Sequence, residues 1–515
     1  MPPLSERGAL YFLSPQQRKV KHVGIINFQP EFRPALPCVF GAKDYREFRA
    51  ALIETDRILS ITGMENRFIE RRLASYKHPL SARQLQRHCK TLRLALRHNI
   101  LLAITGLSFR ELSRRMADSH LFQWFTHTGF VDAVRPVSKS TLERFEKMFD
   151  ADEIAELIHE LNRAAGDPIE AHVLLYRETA LRFDRIFADT TCVKANIHFP
   201  VDWVLLRDAA RTLTGAIVQI RKRGLRHRIG PPETFMREMN KLCIEMTHTR
   251  KRKEGMKVRK QVLRRMKQLM KVIEAHAANY HVLLEKHWRE TGWSELETQV
   301  VLDRIQGIID QLPQAVHQAH ERIIGERRVA NGEKILSLYE PDIHVLVRGK
   351  AEAETEFGNA LYLAEQNDGL IVDWKFIQEQ PPSDSKLVKS SLKRITTNYG
   401  KPESYTGDRG FDSARGRIDL NDLDIINGIC PRSVPSMQHK LEDENFCLLQ
   451  KRRGSTEGRI GIFKNAYLGT PLRSQGFEHR EIRIVWCILG HNLWKLATLA
   501  VQKRKEIETE LAATG

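Results

Sequence analysis

The stretch "NALYLAEQNDGLIVDWKFI", residues 359–377, reads as two strands joined at Asn367-Asp368-Gly369. An Asp-Gly pair between apolar runs is a strong hairpin signal, because the glycine supplies the positive φ that a tight reversal needs. Downstream, "SDSKLVKSSLKRITTNYG" (383–400) predicts a helix with Ser383 as its cap, Leu387, Val388, Leu392 and Ile395 on its buried side, and Gly400 as its stop. "ESYTGDRGFDSARGRIDL" (403–420) follows as a short strand, a glycine-rich turn and a helix start. "DIINGICP" (424–431) is one more short strand, and helices from about 452 close the chain. Upstream, "RIFADTTCVKANIHFPVD" (185–202) sets Ile186–Ala188 ahead of Asp189, as a strand presenting one carboxylate at its tip. Strand, hairpin, helix, strand, helix, strand, helix is an α/β order.

The chain has 515 residues, enough for two to four domains, and 42% hydrophobic residues with which to build their cores. Lysine and arginine outnumber aspartate and glutamate by 82 to 64, a formal charge of +18, which favours a polyanionic partner, nucleic acid first. Seven scattered cysteines without a C-x-x-C pair argue for a reducing compartment and against a zinc knuckle or disulfide framework. The N-terminal "MPPLSERGALYFLSPQQRKVK" lacks the apolar core of a signal peptide. The long apolar run "IRIVWCILGHNLWKLATLAV" (482–501) carries Arg483, His491, Asn492 and Lys495, so it is expected to be a buried core helix and not a membrane span.

Residues 1–79 give no clear fold. From 80 to 150 the pattern is helical: "GLSFRELSRRMADSHLFQWF" (106–125) reads as one helix capped by Ser108 with Glu111 at capping-box spacing, and "VSKSTLERFEKMF" (137–149) as another capped by Ser138. Two readings stand. A helix-turn-helix DNA-binding domain would offer Lys139, Ser140, Thr141 and Arg144 to a major groove; an ordinary helical subdomain would leave them as a solvated face. Residues 151–204 are assigned to the start of the α/β core, 336–500 to its remainder and 501–515 to a C-terminal tail. Between the core halves, 205–335 is a basic helical insertion, in which Val258, Val262, Met266, Met270 and Ile273 form an apolar stripe among lysines and arginines. Phosphate contact and a merely solvated face both account for that charge. The pairs His281/His287 and His317/His320 lack a metal-site arrangement and are expected on surfaces or in helix packing. Trp288 and Trp293 are expected to pack within the insertion, with stacking on a displaced base as the alternative.

Asp408, in "SYTGDRGFDS", also stands at the end of a strand, and a third acid, Glu457, lies in "KRRGSTEGRIGIFK" (451–464). On one continuous helix Arg453, Glu457, Gly461 and Lys464 share a face. Three carboxylates on two strand ends and a helix suit a pair of magnesium ions acting on a phosphodiester. Asp202, Asp208 and Asp412 read instead as helix caps, while Asn196 and His198 follow Asp189 closely enough to line the site. Walker A, dinucleotide-binding and G-x-S-x-G motifs are absent from the sequence.

These phrases, with "DTTCVKANIHFPVDWVLLRDAARTL", "LSFRELSRRMADSHLFQWF…SKSTLERF", "GKAEAETEFGNALYLAEQNDGLIVDW", "GDRGFDS" and "GSTEGRIGIFK", resemble the DDE transposases of bacterial insertion sequences, in their ISNCY-type and insertion-sequence-5-like group. The resemblance covers most of residues 80–497 and implies an RNase H-like catalytic core. It makes Asp189, Asp408 and Glu457 the catalytic and metal-holding acids, with two Mg2+ ions for which Mn2+ would substitute. It further implies DNA contacts through Arg409, Arg453 and Lys464, and as partners the terminal inverted repeats of the transposable element and a target DNA. Transposition, a form of DNA recombination, would proceed from a homodimer or larger synaptic complex in the bacterial cytoplasm, at the nucleoid. The signature Y-x2-R-x3-E-x6-K falls on Arg453, Glu457 and Lys464, with Gln450 where its tyrosine would stand. Gly454, Gly458 and Gly461 point to a glutamate helix that begins only near Ser455, with Arg453 on the preceding loop. A domesticated, non-catalytic DNA-binding protein would need the basic charge without the acids. An RNase H-like nuclease would need the acids without an end-binding domain.

Overall fold

The computed structural model describes residues 35–76, 80–129, 134–249, 254–347 and 355–514. The N-terminal stretch to residue 34, residues 130–133 of the turn before Ser138, Arg250–Lys253 of the basic run, and Arg348 with the "GKAEAE" phrase (349–354) lie outside the described residues.

A mixed sheet of six strands carries the α/β core: β1 (Arg185–Lys194), β2 (His344–Val347), β3 (Thr355–Gln366), β4 (Ile371–Phe376), β5 (Ser404–Thr406) and β6 (Ile426–Asn427). β1 lies in the middle, antiparallel to β3 with Asp189 opposite Leu363, and parallel to β5 with Phe187 opposite Thr406. β6 extends the parallel side, and β2 and β4 share the far edge of β3. The expected hairpin is present. Gly369 takes φ +96°, and its N–H donates to the Gln366 carbonyl at 3.0 Å and to the Gln366 side-chain oxygen at 2.9 Å.

Pleat alternation sends β1 side chains to two different cores. Ile186, Ala188 and Cys192 pack with Tyr362, Tyr405 and the Leu392/Ile395 side of the Val388–Tyr399 helix. Val193, with Leu361 and Leu363 of β3, joins a second core built on the Phe477–Thr514 helix. That helix is the buried element its polar residues suggested: Trp486, Ile488, Leu489 and Leu493 are fully buried, and Asn492 is hydrogen-bonded on both sides. Its amide donates to the Ile371 carbonyl at 2.8 Å and its oxygen accepts the Ile371 N–H at 3.0 Å, so a buried polar group becomes a bond between helix and sheet. Among the described residues this one helix is long and apolar enough to cross a membrane, and 83% of its apolar window is buried inside the protein.

Several boundaries move. The region without a clear fold contains two helices, Lys43–Ile61 and Met64–Ala74, the first packed along the last helix of the chain. The 106–125 segment is broken at Ser119 into Phe109–Asp118 and His120–Thr126, because Ser119 leaves helical geometry and its hydroxyl caps the second helix. Helices Ala151–Gly166 and Pro168–Leu175 belong to the same helical layer, so the sheet begins only at Arg185. The supposed tail is the end of the helix that reaches Thr514. Ser383 makes no cap hydrogen bond and precedes a short 3-10 turn, Asp384–Lys386. By contrast the Ser108–Glu111 capping box and the Ser138 cap are both formed, and Gly400 ends its helix.

The insertion is a bundle of four helices, Asp202–Lys222, Pro232–His248, Gly255–His287 and Glu295–Ala319, with a core of its own. Val262, Met266, Met270 and Ile273 are buried there as the stripe required, with Val258 half-buried beside them. Asp202 is no cap. Its carboxylate accepts hydrogen bonds from Gln318 and Arg322, each at 2.8 Å, and ties the first helix of the bundle to its end. Asp208, in mid-helix, pairs with Arg211 at 3.1 Å. Trp288 and Trp293 pack half-buried against the bundle core, while His287 meets Glu290 at 2.9 Å and His320 meets Lys267 at 3.2 Å.

Candidate active site

Asp189 is not at a strand tip. It is the fifth residue of the ten-residue β1, half-buried, on the face that also carries Phe187 and Val193. The extension past Asp189 comes from pairing with β3, which continues to Lys194 opposite Gly358. Phe187 stands opposite Thr406 at the end of β5, and Asp408 follows two residues past that end, where it caps the Arg409–Phe411 turn. Just past β5 the Cys430 N–H donates to the Gly407 carbonyl at 3.1 Å. Asp408 Oδ1 then accepts the Gly410 N–H at 2.7 Å, and Asp189 Oδ1 accepts the Thr190 N–H at 2.7 Å.

The third acid sits on a longer helix than its glycines implied. Glu444–Ile462 is one continuous helix, begun by Asp443, whose carboxylate accepts the Asn445 N–H at 2.9 Å, so Arg453 is helical. Contacts to the sheet offset the weak propensity of Gly454, Gly458 and Gly461. Glu365 of β3, a buried acid opposite Phe187, accepts Arg452 Nη1 at 3.0 Å, Thr456 Oγ1 at 2.7 Å and Arg459 Nη1 at 2.9 Å. Arg452 also lies over the Phe187 ring, 4.5 Å from its centre, and burial lowers its pKa against the opposing pull of Glu365. Positions 452, 456 and 459 therefore form the sheet-bound side, directed to the hairpin end of β3. Arg453 and Glu457 lie on the adjacent flank of the helix.

On that flank Arg453 Nη1 donates to Glu457 Oε1 at 2.6 Å, and Glu457 is exposed. Lys464 lies beyond the α-helix on a π-helical turn, Phe463–Leu468, so it leaves the strict face that a continuous α-helix would give it. Arg409 is exposed next to Asp408. Among the described residues no group of three or more His, Cys, Asp or Glu side chains is clustered closely enough to hold a metal ion. In this arrangement Glu457 is engaged by Arg453.

Asn196 and His198 are exposed beyond the end of β1. At a strand rise of about 3.3 Å per residue, Lys194 is already about 16 Å from Asp189, so these two do not line its surroundings. Asp412 is no cap either: Ser413 caps the following helix, while Asp412 accepts Arg417 at 2.5 Å and the Arg432 N–H at 2.9 Å. The Arg432 guanidinium donates to the carbonyls of Arg409 and Gly410 at 3.0 and 3.1 Å and braces the loop behind Asp408. Arg432, Glu365, Arg452, Thr456 and Arg459 went unnoticed in the sequence. The one legible signal was the i, i+4, i+7 spacing of the last three, with an acid interrupting an apolar strand.

Lys139, Ser140 and Arg144 are exposed on the Lys139–Glu146 helix, whose Leu142 and Phe145 are buried; Thr141 is half-buried and accepts Arg144 Nη2 at 3.0 Å. No family model, curated protein or solved structure matches the chain.

Proposed function

We propose that the chain is a DDE-type DNA transposase that cleaves and joins the ends of an insertion sequence. The observation that carries this reading is that Asp408 directly follows β5, the parallel neighbour of the strand that holds Asp189, while Glu457 rides on a helix clamped to the same sheet. The mixed sheet around a central β1 agrees with the RNase H-like core that the resemblance implies. Asp189, Asp408 and Glu457 are hard carboxylate donors, partly open to solvent, of the type that Mg2+ or Mn2+ takes, and they would hold such an ion once drawn together with Glu457 released from Arg453. When bound, such ions supply the Lewis acidity that activates a water or 3′-hydroxyl and stabilises the leaving oxygen.

The chain's own residues supply the rest. Asp189 is held by the backbone of β1 and Asp408 by the turn that it caps. Glu457 exchanges Arg453 for the site, which leaves the Arg453 guanidinium to a phosphate, beside Arg409 and Lys464. Lys139, Ser140, Thr141 and Arg144, with the basic insertion, bind the duplex, and two protein chains hold two DNA ends for joining.

The test is incubation of the full chain with labelled DNA from the flanks of its reading frame, in Mg2+. Nicking at a defined end by wild type, abolished in Asp189→Asn and Asp408→Asn, is expected. Cutting without joining points to a nuclease, and binding that is indifferent to both substitutions, with no cutting, points to a non-catalytic DNA-binding protein.

A further inference from the structure

The structure assigns to Gln450 a role that the resemblance leaves open: we propose that it is a positioning residue linking the Asp408 loop to the Arg453–Glu457 pair. This rests on the reading of the three acids given above. Gln450 Nε2 donates to the Gly428 carbonyl at 2.6 Å and to the Gly407 carbonyl at 3.2 Å. Both amide hydrogens are thereby used on the two strands that run side by side past β5 and β6, and Gly407 immediately precedes Asp408. The Gln450 oxygen accepts Arg453 Nε at 3.0 Å, and Arg453 Nη1 in turn donates to Glu457 Oε1 at 2.6 Å. One side chain thus joins the backbone carrying the second acid to the guanidinium that holds the third.

The approach is close. A Cβ at Gly428 would stand 2.4 Å from Thr406 Oγ1 and 3.3 Å from Leu449 Cδ1, so a side chain there would displace Thr406 and crowd the helix. A tyrosine at position 450 would offer one hydroxyl hydrogen, and could not donate to both carbonyls while accepting from Arg453. The amide matches all three partners. Groups that orient metal ligands from behind change affinity or activity by about 10–100-fold when removed, and Gln450 stands in that relation to Asp408 and, through Arg453, to Glu457.

The experiment compares wild type, Gln450→Leu, Gln450→Glu and Asp189→Asn in the full chain. Gln450→Leu removes the donors and the acceptor, whereas Gln450→Glu keeps the acceptor for Arg453 and loses both donations. Mn2+ affinity is read from free-ion electron paramagnetic resonance, loop order from hydrogen exchange of peptides 404–412 and 426–432, cleavage as kcat and KM, and stability from melting. Expected are faster exchange in both peptides for both variants, and a loss of about 10–100-fold in Mn2+ affinity and kcat for Gln450→Leu with KM for DNA nearly constant. Unchanged exchange and Mn2+ affinity in both variants, beside a clear loss in Asp189→Asn, overturn the proposal. So does a cleavage loss that vanishes once the assay is run well below each variant's melting point. A wild-type chain that binds no Mn2+ and makes no cut overturns the reading of the acids, and the role of Gln450 with it, even where exchange shows the loop loosened.

Discussion

Glu365 on β3 receives Arg452 at 3.0 Å, and the same carboxylate oxygen takes Thr456 and Arg459, so one buried acid fixes the axial rotation of the Glu444–Ile462 helix. Glu365→Leu takes the carboxylate from both guanidinium groups and leaves Arg452 with the Gln366 and Asn367 carbonyls and the Thr456 hydroxyl. Loss of one partner from a buried charge pair costs about 3–5 kcal/mol, and the lower end applies here because Arg459 is partly open to solvent. Urea unfolding should show this loss, with part of it recovered by adding Arg452→Met. A change below about 1 kcal/mol, the scale of an exposed pair, would mean that the clamp contributes little.

Glu457→Gln keeps the size of the side chain and removes its charge. Cleavage should fall by about 10³-fold or more, on the scale of lost electrostatic stabilisation, while DNA affinity and melting temperature hold. Glu444→Gln, at the start of the same helix, serves as the control. Near wild-type cutting by Glu457→Gln, alongside inactive Asp189→Asn and Asp408→Asn, would identify a different third acid.

DNA binding through the Lys139–Glu146 helix should be strongly salt-dependent. Each neutralised phosphate of a duplex contributes about −0.9 to the log–log slope, so Lys139→Ala combined with Arg144→Ala should flatten it by nearly two. Both residues are exposed, and the helix keeps its Ser138 cap in the variant. A titration with an identical slope would remove this helix from the interface.

His98 is buried, with Nδ1 2.6 Å from the Leu94 carbonyl and no partner at Nε2, and burial pushes its pKa down to about 4 from the ordinary 6.5. The unfolded chain therefore binds a proton as pH falls through 6.5, while the folded chain resists until about 4. Stability is complete above 6.5 and declines across that window, by about 3 kcal/mol at most. Melting curves from pH 7 to 4 should fall more steeply for wild type than for His98→Leu; parallel curves would show that His98 does not titrate on unfolding.

Local signals made much of the architecture legible. Asp368-Gly369 specified a hairpin because positive φ is a property of the turn itself, and Ser108, Ser138 and Gly400 marked helix ends through bonds made within a few residues. The apolar stripe of the insertion and the 482–501 run followed from helical period alone. Where packing outweighs local preference, the sequence misled. The pattern after Asp189 breaks off, yet β1 runs on because β3 pairs with it from more than 150 residues away. Glycines forecast a late helix start, yet Glu365 holds that helix from across the sheet.

The sequence by itself determined the α/β order, the separate helical insertion and the residue types of the site, because periodicity, turn chemistry and charge are written into neighbouring positions. The tertiary structure decided that Asp189 lies within β1 and Asp408 just past its parallel neighbour, that Glu457 is engaged by Arg453, and that Gln450 bonds both the Gly407 backbone and Arg453. Strand register and helix rotation set those relations, and both depend on contacts between residues far apart in the chain, which no local pattern encodes.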